Sequence, residues 1–303
     1  MQAVQFQAYG GPEVLQVVEV APPHAGPGQV RIAVQAAGVN LSDLMKIRAG
    51  IWKDAAIPLP SGVGVEGAGR VDEVGEGVTD LAIGDPVFGC GFDLLAQHAV
   101  LRAGVWARKP DDLSFAEAAG MPVVVETATR ILAEVGVAAG ETLLVSGASG
   151  GIGSAVIQFA RHQGLTVIGS ASVGNHDYLR SLGAIPTTYG PGLVARVKAL
   201  APAGVDAALD IAGSGVLAEL VELVGDPARV LSIADFSAPR FGVKLSLAAQ
   251  KDPARVLVEA ARLHSAGGFH LRLGGTFPLA QAAEAYQLCA TGHATGKLVI
   301  SLV

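Results

Sequence analysis

The spacing of apolar and polar positions changes once along the chain, close to residue 110. Before that point, short apolar runs such as "LQVVEVAPP" and "GQVRIAVQAAGV" are cut by Gly and Pro, which is typical of strands joined by irregular loops. From "DDLSFAEAAGMP" onward, apolar runs of strand length alternate with segments of helical period. Ser114 and Glu117 have the spacing of a capping box, which predicts that a helix begins there.

The second part of the chain predicts a parallel sheet with helices on both faces, and hence an α/β fold class. The predicted strands are 142–146, 165–169, 205–211 and 229–233, and the predicted helices are 151–163, 175–182 and 215–224. After residue 268 come "HLRLGGTFPL", a helical segment and the strand "GKLVISLV". The pattern alone leaves open whether this tail completes the sheet or returns to the first domain.

Composition narrows the classes of protein. The chain has 303 residues, half of them apolar, which is enough for two domains with buried cores. Its net charge is -6 without a dense Lys/Arg run, so nucleic acid is not an expected partner. Cys90 and Cys289 lack metal-ligand spacing and are expected to be free thiols. With no leader-like N terminus and no apolar stretch of membrane-spanning length, a cytoplasmic protein without membrane contact is predicted.

A glycine-rich turn stands between a predicted strand and a predicted helix in "LLVSGASGGIGSAVIQFARHQGLTVIGSAS". Compared with the motif G-x-G-x-x-G, the run from Ala148 to Gly153 keeps the second and third glycines and has alanine for the first. Glycine is needed where a Cβ would block a pyrophosphate, and the following helix offers free N–H groups. A turn that binds nothing is the alternative. The predicted dinucleotide-binding residues here are Ser149, Gly150, Gly151, Ile152 and Gly153.

The string "GASGGIG" also matches the fingerprint of short-chain dehydrogenases. Those enzymes place the turn near the N terminus and need a Tyr-x-x-x-Lys pair. In this chain the turn comes almost halfway along, and none of the four tyrosines has a lysine four residues later. That family is therefore set aside.

The next predicted strand ends without a carboxylate. In NAD-preferring sites an Asp or Glu at this place binds the ribose 2′-OH and would repel a 2′-phosphate. Here Ser170, Ser172 and His176 can donate hydrogen bonds to a phosphate, so NADPH is predicted over NADH. A solvated His176 is the alternative. No Lys or Arg stands at the strand end to neutralise the phosphate, and Arg180 lies a turn or more further along.

Several motifs in chain order resemble the medium-chain dehydrogenase/reductase superfamily, in its zinc-free quinone oxidoreductase (zeta-crystallin-like) branch. They are "MQAVQFQAYGGPEVLQVVEV", "GVNLSDLMKIRAG", "GVGVEGAGRVDEVGEGVTDLAIGDPVFG" and "SGASGGIGSAVIQFA". The resemblance implies a GroES-like, mostly β domain over residues 1–122, to which residues 268–303 return. It implies a Rossmann doubly wound parallel sheet domain over 123–267, an active site in the cleft, and a homodimer formed through edge strands.

The resemblance also indicates a reaction without metal. Where zinc enzymes of the superfamily hold their metal, this chain has Asn40, Val65 and Val123, and valine cannot bind zinc. Without a Lewis acid, the implied acceptors are those that take hydride readily, namely quinones or α,β-unsaturated carbonyls, with NADPH as the donor. Two alternatives remain: an enone reductase with little quinone activity, and a non-catalytic NADPH-binding structural or regulatory protein.

Asn40 is the predicted hydrogen-bond donor to the acceptor oxygen, with Asp43 orienting the site. An Asn that satisfies turn backbone and an ordinary loop carboxylate are the alternatives. Many members of the branch have a tyrosine where this chain has Met45, which removes a proton donor and suggests a more apolar substrate pocket. Glu126 follows an apolar run, and is interpreted either as a desolvated carboxylate near the nicotinamide or as a helix-capping residue.

Other cofactor contacts come from the resemblance alone. Thr127 resembles a threonine near the nicotinamide, and Tyr189 matches a tyrosine beside the 2′-phosphate. Loops that pass the nicotinamide ribose and ring correspond to Ala212, Ile233, Ala234 and Phe236.

Overall fold

The computed structural model describes residues 1–49, 51–52, 55–102, 104–247 and 252–303. Contacts between Cα atoms group the chain into two compact units. Unit 1 comprises Met1–Val123, Lys251–Gly267 and Leu271–Val303, and unit 2 comprises Val124–Gln250 and Gly268–His270. Residues 251–267, which the sequence analysis assigns to the Rossmann domain, group here with unit 1.

The strands of the described residues, in chain order, are β1 (Gln2–Phe6), β2 (Leu15–Glu19), β3 (Gln29–Gly38), β4 (Ile51–Trp52), β5 (Ala55–Ala56), β6 (Ser61–Gly62), β7 (Glu66–Val74), β8 (Pro86–Cys90), β9 (His98–Arg102), β10 (Trp106–Arg108), β11 (Thr142–Ser146), β12 (Thr166–Ser170), β13 (Ile185–Thr187), β14 (Ala207–Asp210), β15 (Val230–Ser232), β16 (Lys244–Leu245), β17 (Leu273–Pro278) and β18 (Lys297–Ser301). The helices are α1 (Leu41–Ala49), α2 (Phe115–Val135), α3 (Gly151–His162), α4 (His176–Ser181), α5 (Leu193–Leu200), α6 (Leu217–Val224), α7 (Pro253–Ser265) and α8 (Ala282–Ala290). None of these helices is long and apolar enough to cross a membrane.

Unit 1 is built on a sheet of order β10-β8-β7-β3-β18-β17, with β9 also paired to β3. The C-terminal strand β18 lies antiparallel to β3, with Ile300 opposite Ala37. The tail whose placement the sequence pattern leaves open therefore joins this sheet. Side chains from β3, β8, β9 and α8 form the core, and they include Ile32, Val87, Leu101 and Tyr286.

Unit 2 is a parallel sheet of order β13-β12-β11-β14-β15-β16. The strand order reverses direction between β11 and β14, which is the switch point where open α/β sheets bind ligands. The four predicted strands and three predicted helices are present, and no bound is shifted by more than two residues. The predicted α/β fold class, with a doubly wound parallel sheet in one unit and a mostly β second unit, is confirmed.

Three short elements of unit 2 escape the sequence prediction: β13, α5 and β16. Strand β13 contains Pro186, which argues against a strand in a sheet interior. Because β13 lies at the sheet edge, the missing N–H of Pro186 costs no ladder hydrogen bond. The strand is therefore permitted by its position, which the sequence pattern does not contain.

Helix α2 begins as predicted. Ser114 Oγ accepts a hydrogen bond from the Glu117 N–H at 3.2 Å, and the Glu117 carboxylate accepts one from the Ser114 N–H at 3.2 Å. This reciprocal pair satisfies two N–H groups that a helix start leaves free.

Candidate functional site

The glycine-rich turn joins β11 to α3 and is closed by backbone packing. Gly147 has φ +81°, a left-handed conformation that favours glycine. A Cβ on Gly153 would lie well under 3.0 Å from the Gly147 carbonyl oxygen and 2.7 Å from the Ala148 Cα. A Cβ on Gly150, by contrast, would meet nothing nearer than the Gly147 oxygen at 3.6 Å. Gly153 is therefore required for the turn itself, whereas the surroundings of Gly150 are open.

The N terminus of α3 has no side chain that would cap it or repel an anion. Gly150 is the N-cap, with extended backbone and no side-chain cap, and no acidic residue stands in the first turn. The Ser154 N–H donates to the Gly150 carbonyl at 2.9 Å, which closes the first helical turn. The N–H groups ahead of it, on Gly151, Ile152 and Gly153, point beyond the helix end and suit an anion. The residues present thus fit the pyrophosphate of a dinucleotide.

The predicted cofactor residues are distributed over the carboxyl ends of neighbouring parallel strands. Those ends lie along one edge of the sheet, so the structure brings most of the predicted set together. Ser170 ends β12, Tyr189 follows β13, Ala212 follows β14, and Ile233, Ala234 and Phe236 follow β15. Tyr189 and Phe236 are more than half exposed.

Thr127 and Glu126 lie within α2 and not in a loop that follows a strand. The Glu126 carboxylate pairs with Arg130 Nε at 3.0 Å, one helical turn on, and Thr127 Oγ1 donates to Glu126 at 3.2 Å. Glu126 therefore neither begins nor caps the helix. Its ion pair with Arg130 balances the charge that an apolar environment would otherwise disfavour.

A buried carboxylate that the sequence analysis missed fastens two of these loops. Asp210, the last residue of β14, accepts hydrogen bonds from Ser232 Oγ at 2.8 Å and from the Gly213 N–H at 3.0 Å. Ser232 Oγ also accepts one from the Asp235 N–H at 2.9 Å. Burial raises the pKa of Asp210 above its ordinary value, against the hydrogen bonds that lower it. The sequence feature that could have identified Asp210 is a single Asp at the end of the apolar run "AALD".

In unit 1, Asn40 belongs to a buried polar triangle with Glu66 and Lys297. Asn40 Nδ2 donates to Glu66 Oε1 at 2.8 Å, and Lys297 Nζ donates to Asn40 Oδ1 at 2.6 Å. Lys297 Nζ also pairs with Glu66 Oε1 at 2.6 Å, while Glu66 Oε2 accepts from the Val123 N–H at 2.7 Å. Both charges are thus paired and hydrogen-bonded, as buried charges must be.

Two glycines make room for this triangle. A Cβ on Gly38 would overlap the Glu66 carboxylate, and a Cβ on Gly120 would lie 2.8 Å from Lys297 Cγ. Neither Glu66 nor Lys297 was singled out from the sequence. Lys297 begins the largely apolar strand β18, and a charge there is a signal because charges are rarely buried unless paired. Glu66 gave no such signal, because β7 also contains Arg70, Asp72 and Glu73.

A second buried polar group of unit 1 is the carboxylate of Asp43, which is fully buried. Its oxygens accept hydrogen bonds from Tyr286 Oη at 2.8 Å and from the Gly64 N–H at 3.3 Å. Burial raises the pKa of Asp43 from 3.8 to about 6, and it raises the pKa of Tyr286 well above its ordinary value. Met45, two residues on, is about half exposed, so an apolar side chain faces solvent where the branch often has tyrosine.

The pKa of Asp43 predicts a pH dependence of stability. The folded state binds the proton more tightly than the unfolded state, so this stabilisation is complete below about pH 4 and is lost as pH rises through about 6. Roughly two pKa units correspond to at most about 3 kcal/mol. We expect Asp43→Asn to flatten the dependence of the unfolding free energy on pH between 4 and 7, measured by urea titration. Parallel profiles for the variant and the parent protein would contradict this.

No group of three or more His, Cys, Asp or Glu side chains that could hold a metal ion occurs among the residues that the structure describes.

Comparison with known proteins gives the following matches. Residues 26–128 match the alcohol dehydrogenase GroES-like domain family, and residues 186–300 match the family described as zinc-binding dehydrogenase. An NADPH-dependent alkenal/one oxidoreductase from the chloroplast of Arabidopsis thaliana is 30% identical, with 99% of this chain and 79% of the relative aligned.

A component of the pikromycin polyketide synthase of Streptomyces venezuelae is 34% identical over 93% of this chain, but the chain spans only 8% of that protein's length. The solved structure of a quinone oxidoreductase from Coxiella burnetii is 29% identical, with a TM-score of 0.87 and coverage of 100% of this chain and 99% of that one.

Proposed function

Because the chain belongs to the medium-chain dehydrogenase/reductase superfamily, in its zinc-free quinone oxidoreductase branch, we propose that it is an NADPH-dependent reductase of quinones or α,β-unsaturated carbonyls. The observation that carries the proposal is that a buried Lys297–Glu66 pair fixes both ends of the Asn40 amide. By resemblance, Asn40 stands at a position where zinc enzymes of the superfamily hold metal.

The coenzyme is held by residues of unit 2. The N–H groups at the start of α3 bind the pyrophosphate, and the hydroxyls of Ser170 and Ser172 and the ring of His176 lie at the end of β12, where a carboxylate would select NADH. When bound, NADPH supplies the hydride.

Asn40 supplies the donor for the negative charge that develops on the acceptor oxygen. An Asn side chain has two amide N–H groups, and one of them is taken by Glu66. The Lys297 ammonium on Asn40 Oδ1 draws electron density from the amide and so strengthens the remaining N–H as a donor. Because the amide does not titrate, this donor remains available across the neutral pH range.

The experiment that tests the proposal follows NADPH oxidation by absorbance, in protein treated with a metal chelator. The acceptors are 1,4-benzoquinone, 9,10-phenanthrenequinone and a simple enone, each offered with NADPH and with NADH. We expect turnover with at least one acceptor, faster with NADPH than with NADH. Tight NADPH binding without turnover of any acceptor would favour the non-catalytic protein instead.

The Asn40→Ala variant separates catalysis from binding. We expect its kcat to fall while the Kd for NADPH stays within about twofold, because Asn40 lies in unit 1 and contacts Glu66 and Lys297. Activity is measured with the best acceptor and binding by nicotinamide fluorescence. An unchanged kcat in a folded variant would remove Asn40 from the proposed mechanism.

Two observations favour the narrower alternative, an enone reductase with little quinone activity. The relative from Arabidopsis thaliana is described as an alkenal/one oxidoreductase, and Met45 gives this chain an exposed apolar side chain instead of the branch's tyrosine. The same assay decides the matter, because a strong preference for the enone over both quinones selects the alternative.

A further inference from the structure

A pocket of about 310 Å³ lies beside the edge strand β13 in unit 2. His176, Thr187, Thr188 and Arg196 line its polar part. His176 is the first residue of α4. Thr187 lies opposite Ser170, the last residue of β12, so the pocket adjoins the strand end where a ribose 2′-phosphate belongs.

Arg196 comes from α5, which was not among the predicted elements. Its guanidinium donates to the carbonyl oxygens of Thr188 at 2.9 Å, Pro191 at 2.8 Å and Gly190 at 3.2 Å. It also donates to the Tyr189 carbonyl at 3.3 Å, so it anchors the loop of residues 188–191, which contains Tyr189. All four partners are neutral carbonyls.

The charge of Arg196 is therefore not cancelled by a carboxylate within the part of the chain that the structure describes. Arg180, the cation nearest in sequence to the end of β12, is different. Its Nη1 pairs with Asp177 Oδ1 at 2.6 Å, and its side chain is 58% exposed.

Two polar atoms at the pocket are buried and lack a hydrogen-bond partner: His176 Nε2 and Arg196 Nε. A buried polar atom without a partner is costly, and a bound ligand is one way to satisfy it. The two atoms belong to residues that line the same pocket, and both can donate a hydrogen bond to an anion.

We propose that Arg196 is the residue that selects NADPH over NADH, because its uncancelled charge lies beside His176 and under the Tyr189 loop, at the place of the 2′-phosphate. This inference rests on the proposed function for its ligand. It explains how a strand end without Lys or Arg can accept a phosphate: the positive charge comes from the next strand's crossover helix. An arginine that only anchors the loop would affect both coenzymes alike.

The test is calorimetric binding of 2′,5′-ADP and of 5′-AMP, which differ in the 2′-phosphate and need no acceptor or turnover. Three variants are compared with the parent protein: Arg196→Met, Arg196→Lys and Arg180→Met. We expect Arg196→Met to weaken 2′,5′-ADP binding by about fivefold or more and 5′-AMP binding by less than twofold. Arg196→Lys keeps the charge and most of the selectivity, and Arg180→Met leaves both affinities unchanged.

Equal weakening of both ligands in Arg196→Met would show that Arg196 only anchors the loop, and would overturn the proposal. Unchanged binding of 2′,5′-ADP would overturn it as well. If Arg196→Met fails to fold, Arg196→Lys still decides, because a loss of selectivity with the charge retained contradicts a charge-based mechanism. Failure of the reductase assay is a separate outcome, since these affinities are measured without an acceptor.

Discussion

We expect Lys297→Met to lower the free energy of unfolding by about 3–5 kcal/mol. The substitution keeps much of the side-chain volume but leaves the Glu66 carboxylate buried without its cation, and it removes the donor to Asn40 Oδ1. Glu66 would retain its hydrogen bonds from Asn40 and Val123, which do not neutralise its charge. The measurement is the urea unfolding free energy of the variant and the parent protein at one pH.

The double variant Glu66→Gln/Lys297→Met is the matched control. It removes both charges and keeps an amide that can accept from Val123, so most of the lost stability should return. If the double variant is as unstable as Lys297→Met alone, the loss comes from packing around Lys297 and Gly120 and not from the unpaired carboxylate.

The second large effect is expected for Gly153→Val, which should abolish NADPH binding and destabilise unit 2. Any Cβ at this position collides with the backbone of Gly147 and Ala148, and backbone cannot move aside as a flexible side chain can. The turn must open, and the N–H groups at the start of α3 then lose their alignment. Binding is measured by nicotinamide fluorescence, and folding by circular dichroism and thermal unfolding.

Gly150→Ala serves as the control for Gly153→Val. Its Cβ would lie 3.6 Å from the nearest atom, an ordinary contact, so we expect a melting temperature close to that of the parent protein. NADPH binding should still weaken, because the added methyl group narrows the approach to the pyrophosphate. A folded Gly153→Val variant with full NADPH affinity would show that the coenzyme does not bind at this turn.

Features encoded by neighbouring residues were predictable from the sequence. The turn from Ala148 to Gly153 lies between an apolar strand and an amphipathic helix, and both the fingerprint and its setting are local. The capping box of Ser114 and Glu117 is equally local. Parallel strands that are buried on both faces, such as β11, have nearly continuous apolar sequences, and this makes them recognisable without knowledge of their neighbours in the sheet.

Features that depend on distant pairings were not predictable in this way. Asn40 contacts Glu66 across 26 residues and Lys297 across 257 residues, and only the pairing of β3 with β7 and β18 brings the three together. Asp43 meets Tyr286 across 243 residues. A single sequence shows each of these as an isolated polar residue, and the contact partner comes from the sheet topology.

Arg196 illustrates the same limit in unit 2. The sequence has no cation at the end of β12, and the next one along the chain is Arg180, in the helix α4 that follows. The structure pairs Arg180 with Asp177 and places Arg196, from a helix after the next strand, beside the pocket at β13. Strand β13 is short and contains proline, and α5, which carries Arg196, has only eight residues, so neither element was predicted from the sequence.

Hydride transfer from NADPH without a metal is tested most directly by a single-turnover experiment with NADPH deuterated at C4. Chelator-treated protein is mixed with each of the two C4-deuterated stereoisomers and with the acceptor that gives the fastest turnover, and oxidation is followed by absorbance. We predict a primary isotope effect with one stereoisomer and none with the other. Equal rates with both, or no oxidation despite demonstrated NADPH binding, would contradict the proposed reaction.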